Sequence, residues 1–226
     1  MFKLAQRSRI NISMNDISKI EAYLWATPNC RRVSILLEEL GLEYAVHPIN
    51  IRAGEQFAPD VLRLNPYGKL PILKWRESGE THVMSESGAI LLRLGQMQTK
   101  LLPVSGNSRD TIMMWFMMAM TSLGPMTGNA HHWTMLSSER PQIASDHHVA
   151  LVKRAYATIE RNLTENEYFA GQYSLADIAA YPWIAVHQWA AIDLADFPAI
   201  HAWLKGMGDR AAVQRGMQVP LGAQLD

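Results

Sequence analysis

Residues 98–108, QTKLLPVSGNS, gather proline, glycine, serine and asparagine, and the pattern of the chain changes across them. Before this stretch, short apolar alternation and helical periodicity take turns. After it, almost no β-branched alternation remains and helical spacing runs on to the end. A chain that switches pattern once, at a turn-rich boundary, reads as two unlike units, and 226 residues suffice for two small domains packed together. The expected organisation is an N-terminal extension at 1–19, an α/β domain at 20–97, a linker at 98–108 and an all-helical domain at 109–226.

Within the first unit IEAYLW (20–25) reads as a short strand. RRVSILLEEL (31–40) sets Val33, Leu36, Leu37 and Leu40 on one helical face, and Gly41 stops it. YAVHPINI (44–51) is a second strand and PDVLRL (59–64) a short helix. LPILKW and THVMSE are two strands about the turn Glu77-Ser78-Gly79-Glu80, and ESGAILLRLGQM closes as a helix. This order implies layered α/β packing. In the second unit helices are expected at about 109–136, 141–165, 174–188 and 197–218.

Lys plus Arg equals Asp plus Glu at 21 each, so no bulk charge points to nucleic acid or a membrane surface, and a small-molecule site is the better expectation. The single cysteine excludes an internal disulfide framework and makes the cytosol the default compartment. Residues 1–19 carry basic side chains but no apolar core of the ~7–15 residues that a secretory signal needs. No stretch reaches the roughly 18 apolar residues of a membrane span.

Three short stretches could carry chemistry. Thr27-Pro28-Asn29-Cys30 opens the first helix and reads like a C-x-x-C loop with Thr27 in place of the first cysteine. A thiolate there gains from N–H donors and the helix dipole, whether the sulfur belongs to the protein or to a ligand. Asn65-Pro66-Tyr67-Gly68-Lys69-Leu70-Pro71 sets two prolines around a tight turn, and Pro71 is a candidate for a cis bond that would leave the Leu70 backbone free to pair with an extended peptide. Glu86-Ser87-Gly88 opens an apolar helix, where Ser87 and nearby N–H groups suit a carboxylate and Glu86 an ammonium; simple capping is the alternative.

The combination resembles the glutathione transferase superfamily over roughly residues 20–218, with a thioredoxin-like first domain and an all-α second. T-P-N (27–29), GEQF (54–57), ESGAILL (86–92) and LGPMTGNAHHW (123–133) look like its nu-class, disulfide-bond-reductase-like branch. SLADIAAYPW (174–183) adds a capping box, Ser174 with Asp177, that fixes a core helix. The resemblance implies glutathione as cosubstrate, no metal and a homodimer. Leu70, beside Pro71, would pair with the cysteinyl unit, Glu86 and Ser87 would hold the γ-glutamyl end, and Gln56 and Lys69 would reach the glycyl end or the neighbouring backbone. Thr27 and Asn29 would stabilise the glutathione thiolate, with Met126, Trp133 and Trp183 lining the pocket for an electrophile or disulfide. Where relatives carry arginines suited to carboxylates, this chain has Ala58 and His147. Cys30, alone at the resolving position of a C-x-x-C loop, reads as a packing residue. The favoured chemistry is thiol–disulfide exchange, with conjugation or peroxide reduction alongside it. Cleavage of aromatic thioethers of glutathione and non-catalytic glutathione binding are the alternatives.

Met113, Met114, Met117, Met118 and Met120 lack the interleaved His or Cys of a metal site and read as core, contact surface or cleft wall. The adjacent pairs His131-His132 and His147-His148 point about 100° apart on a helix and cannot chelate together.

Overall fold

The structure, a computed structural model, describes residues 17–223. Most of the N-terminal extension lies outside them, but residues 17–19 belong to strand β1 (Ile17–Leu24). The regular alternation begins only at Ile20 because a bulge between Ser18 and Glu21, with Lys19 at φ 51°, breaks the register ahead of it. From there Ile20, Ala22 and Leu24 face the core on alternate positions.

Helix α1 (Pro28–Glu39) starts on a Thr27 cap with proline in its first turn. Val33, Leu36 and Leu37 are buried as their spacing predicts, but so are Ser34 and Ile35 on the opposite side. The reason is position: α1 lies between the sheet and the second domain, with its outer face against the C-terminal helix. Strand β2 (Tyr44–Pro48) ends at Pro48, earlier than the expected 51, and Pro48 is tolerated because β2 is the sheet edge. Short helix α2 (Pro59–Leu64), strands β3 (Ile72–Glu77) and β4 (Glu80–Ser85), and helix α3 (Ser87–Gly95) complete the domain. The turn between β3 and β4 places Ser78 and Gly79 at φ 50° and 87°, as a tight hairpin requires. The sheet order is β2-β1-β3-β4, with β1 parallel to β2 and antiparallel to β3. A thioredoxin-like sheet domain thus precedes an all-helical one.

The stretch at 98–108 is not a loose tether. Leu101 and Leu102 are buried, and the Leu101 carbonyl accepts from Leu175 N at 3.0 Å, so the connection is tied into the helical core. Helix α4 (Asn107–Met118) then runs through a π turn (Ala119–Leu123) into α5 (Gly124–His131) and a second π turn (His132–Leu136). A continuous helix over 109–136 is thereby corrected; each π turn widens the helix locally and shifts its face. Of the methionine cluster, Met114 and Met117 are exposed while Met120 packs on Gly88 of α3.

Helices α6 (Gln142–Leu163), α7 (Leu175–Ile184), α8 (Pro198–Gly208) and α9 (Ala211–Met217) follow. The helix expected at 197–218 is two, divided at Asp209 and Arg210, and α7 ends at Ile184 shortly after the internal Pro182. At the start of α7 Asp177 accepts from Ser174 N and Phe169 N at 3.0 Å each and from the Trp203 indole at 3.0 Å, so the capping box also joins α7 to α8. Among the described residues no helix is long and apolar enough to cross a membrane.

Candidate active site

Two adjoining lobes open at the first-domain loops, the larger of them closed on its far side by second-domain helices. One, about 270 Å³, is lined by Asn29, Tyr67, Lys69, Leu70, Pro71, Glu86 and Ser87. The other, about 460 Å³, shares Asn29, Lys69 and Leu70 and adds Thr27, Gln56, His131, Trp183 and Trp189 among its walls. Every residue singled out for catalysis or glutathione contact, from Thr27 to Ser87, lines one lobe or both.

The floor is the start of α1. Cys30 N–H donates to Thr27 Oγ1 at 3.3 Å, which consumes one lone pair and leaves the hydroxyl proton free to point into the cleft. Asn29, two residues into the helix, lines both lobes, and its Oδ1 accepts from Arg32 Nη1 at 2.9 Å and Trp183 Nε1 at 3.0 Å. The loop from 65 to 71 forms the side wall. Asn65, nearly buried, donates to the Lys69 carbonyl at 2.8 Å and accepts from Tyr67 N at 3.2 Å, which staples the loop across itself. The Leu70-Pro71 bond is cis, and among the described residues no hydrogen bond involves the Leu70 N–H or C=O. Leu70 therefore presents both backbone groups, as an added extended strand would need. Opposite, Glu86 sits at φ 71°, a costly conformation for a residue with a Cβ, at the N-terminus of α3, where Ser87 is buried. Gln56 lines the larger lobe, and its Oε1 is buried without a hydrogen-bond partner among the described residues.

The far wall differs from expectation. Trp183 is part of it, but Met126 and Trp133 are not: Trp133 meets His132 edge-on and its carbonyl accepts from Ser145 at 3.0 Å. The face of α5 turned to the cleft is the i, i+4, i+7 set Gly124, Gly128 and His131, and Met126 lies about 200° round from Gly124. His131 stacks on Trp189 with centroids 4.2 Å apart, and partial burial, and then His132, push its pKa down. His147 is exposed on α6 and lines neither lobe, and Ala58 caps α2. Lys69 is the cationic side chain that lines both lobes.

Two groups beneath the floor decide the electrostatics. Cys30 is fully buried, and desolvation pushes its thiol up to about 11 against the smaller opposing effect of the Thr27 hydrogen bond. Arg32 is also buried and has no carboxylate partner among the described residues; it donates to Ala179 O at 2.5 Å, Ala119 O at 3.0 Å, Asn29 Oδ1 and, at 3.5 Å, Ser87 Oγ. Burial lowers its pKa to about 9, which still leaves it charged at neutral pH. Sequence reasoning missed Arg32, Trp189 and the individual role of His131. Arg32 was findable in principle, since it stands one turn on from Asn29. Trp189 was not, because it arrives from a separate short helical turn (His187–Ala190). Among the described residues no cluster of His, Cys, Asp or Glu could hold a metal ion.

Residues 26–97 match the family model described as glutathione S-transferase, N-terminal domain, and residues 109–210 match glutathione S-transferase, C-terminal domain. The chain is 31% identical over 210 residues to the disulfide-bond oxidoreductase YfcG of Escherichia coli (strain K12), covering 91% of this chain and 96% of that protein. It is similar in structure to a glutathione transferase from Burkholderia graminis with two glutathione molecules bound per subunit (TM-score 0.83, 31% identity, 90% of this chain and 89% of that one). It is similar again to one from Pseudomonas putida with one glutathione disulfide bound per subunit (TM-score 0.83, 30% identity, 89% and 92%).

Proposed function

The chain belongs to the glutathione S-transferase family, and we propose that it uses the thiolate of bound glutathione, not its own cysteine, for thiol–disulfide exchange. One observation carries this reading: the donors Thr27 and Asn29 face the cleft while the single cysteine of the chain lies under them, buried and with its thiol pKa near 11. A thiol with that pKa is almost wholly protonated at pH 7 and cannot serve as the nucleophile. Glutathione would lie with its cysteinyl unit on the Leu70 backbone, its γ-glutamyl end at Glu86 and Ser87, and its glycyl end toward Gln56 and Lys69. Its sulfur then meets the Thr27 hydroxyl and Asn29 amide, two hydrogen bonds that favour the ionised form. The thiolate attacks one sulfur of a disulfide, the other leaves as a thiolate, and a second glutathione resolves the mixed disulfide, giving glutathione disulfide and the reduced thiol. The similarity to a disulfide-bond oxidoreductase and to a neighbour holding glutathione disulfide supports this chemistry.

The aromatic wall of Trp183, Trp189 and His131 favours a second reading, cleavage of aromatic thioethers of glutathione, in which the same thiolate attacks the thioether sulfur of a flat ring-bearing adduct stacked there; glutathione disulfide forms, the carbon–sulfur bond breaks, and the carbon leaves with the bonding pair and takes up a proton. We also hold the protein to be a homodimer, for which the exposed Phe57, Tyr67, Val83, Met114 and Met117 supply apolar surface.

Titration of bound glutathione by its ultraviolet thiolate absorbance, with turnover of 2-hydroxyethyl disulfide, tests the main reading. Asn29→Ala is expected to raise the bound thiol pKa by about a unit and to slow turnover at neutral pH in proportion. An unchanged pKa would remove Asn29 from the role, and tight glutathione binding with no turnover on disulfides or thioethers would make the protein a non-catalytic binder.

A further inference from the structure

We propose that Arg32 and Trp183 are positioning residues that lock the Asn29 amide with its Nδ2–H₂ group toward the sulfur of bound glutathione, Arg32 also directing Ser87. This rests on the proposed use of Asn29. The geometry is unambiguous about which way the amide faces. Arg32 Nη1 at 2.9 Å and Trp183 Nε1 at 3.0 Å are both donors with no acceptor capacity, so the atom between them must be the amide oxygen. Turning the amide over would set its NH₂ against two N–H groups and lose both bonds. The donor end of Asn29 is left for the cleft, which the residue lines on both lobes.

Trp183 and the carbonyls that hold Arg32 come from the second domain's framework. Trp183 and Ala179, whose carbonyl accepts from Arg32 Nε at 2.5 Å, stand i and i+4 on α7 and so share a face toward α1. Ala119 O, at the first π turn, receives Arg32 Nη2 at 3.0 Å. Gly124 and Gly128 on α5 make the seat: a Cβ at Gly124 would stand 3.0 Å from Trp183 Nε1 and 3.2 Å from Arg32 Nη2, and one at Gly128 would stand 3.4 Å from the indole ring. The same Nη1 that holds Asn29 reaches Ser87 Oγ at 3.5 Å; with its lone pair engaged, the hydroxyl turns its proton outward. One guanidinium therefore spans the thiol end and the γ-glutamyl end of the site. It is a buried cation whose described partners are all neutral, an arrangement that is costly unless an anion is placed within its field, and the bound thiolate and the γ-glutamyl carboxylate are such anions.

The test uses the full chain and the thiolate absorbance of bound glutathione. Trp183→Phe keeps a ring against the two glycines and removes only the donor; it is expected to raise the bound thiol pKa by about half a unit. The Kd for S-methylglutathione, which has no thiol to ionise, stays within about threefold of wild type, since that ligand does not need the thiolate donor. Arg32→Met is expected to raise the pKa further, by about a unit, with Arg32→Lys between it and wild type because lysine keeps the charge but not the fork. Asn29→Ala/Trp183→Phe should shift the pKa no more than Asn29→Ala does alone, as two residues acting through one group require. If Arg32→Met does not fold, Trp183→Phe and the double variant still decide. Wild-type thiol pKa in Trp183→Phe and Arg32→Lys, alongside a clear shift in Asn29→Ala, overturns the lock and leaves the thiolate reading standing, even if both variants melt earlier. No shift in Asn29→Ala overturns the thiolate reading first, and the lock with it.

Discussion

Cys30 occupies the place of a resolving thiol, one turn into α1, yet its sulfur lies under the floor of the cleft, accepting a contact from Trp25 N at 3.4 Å. Desolvation raises its pKa to about 11 and the side chain has no accessible surface, so the native thiol is expected to resist alkylation at pH 8 and to react at once when the chain is unfolded. Timed labelling with iodoacetamide and mass analysis would check this; rapid native labelling at pH 8 would refute it. The sign for stability follows: a thiol that ionises near 9 when unfolded and near 11 when folded favours the native state below pH 9, and that advantage is lost as the pH rises through 11. Cys30→Ser should retain disulfide reduction, and its complete loss would return the protein's own sulfur to the mechanism. The residues at the site legible from the chain are those whose neighbours in sequence share the task, Thr27 with Asn29 and Glu86 with Ser87. Arg32 stands one turn on from Asn29, but a charged side chain in a helix defaults to solvent, and only packing from α7 and α5 buries it.

At the level of elements, α7 shows how one helix start serves two purposes. Asp177 collects Ser174 N, Ser174 Oγ, Phe169 N and Trp203 Nε1, all at 2.9–3.0 Å. Ser174→Ala is expected to cost about 1–2 kcal/mol, a capping loss. Asp177→Ala leaves several buried donors without an acceptor and should cost more, about 3 kcal/mol or above. Urea denaturation of the two variants gives the order, and a costlier Ser174→Ala would contradict it. The cap was visible in SLAD; its link to Trp203 on α8 was not. The stretch LGPMTGNAHHW has a structural role in this fold: Gly124 and Gly128 give Trp183 and Arg32 room to approach, while His131 completes the cleft wall. Helix phase also explains why Met126 and Trp133 are elsewhere: Met126 lies on the far side of α5 from Gly124 and Gly128, and Trp133 falls in the π turn that follows.

At the scale of the whole molecule, α1 belongs to both domains. Its inner face covers the sheet and its outer face meets α9, where a Cβ on Gly216 would fall 2.5 Å from Ile35 Cα and Ser34 Oγ donates to Gly216 O at 2.7 Å. Backbone cannot give way there, so Gly216→Ala is expected to cost at least about 2 kcal/mol and to destabilise the first domain with the second. Hydrogen exchange in β1 and β3, together with urea melting, checks this; unchanged protection in the sheet would mean that the domains unfold independently. The sequence by itself determined the element types and their order in the first domain, the helical character of the second, the single change of pattern near residue 98 and the short motifs whose members are neighbours along the chain, because periodicity, caps and turn chemistry are local. The tertiary structure alone decided that the 98–108 stretch is anchored, that both faces of α1 are buried, that Trp189 and His131 wall the cleft, and that Arg32 and Trp183 hold Asn29 from below. Those contacts join residues up to about 150 positions apart, and no spacing rule reaches that far; they exist only once helices from the second domain close over the start of α1.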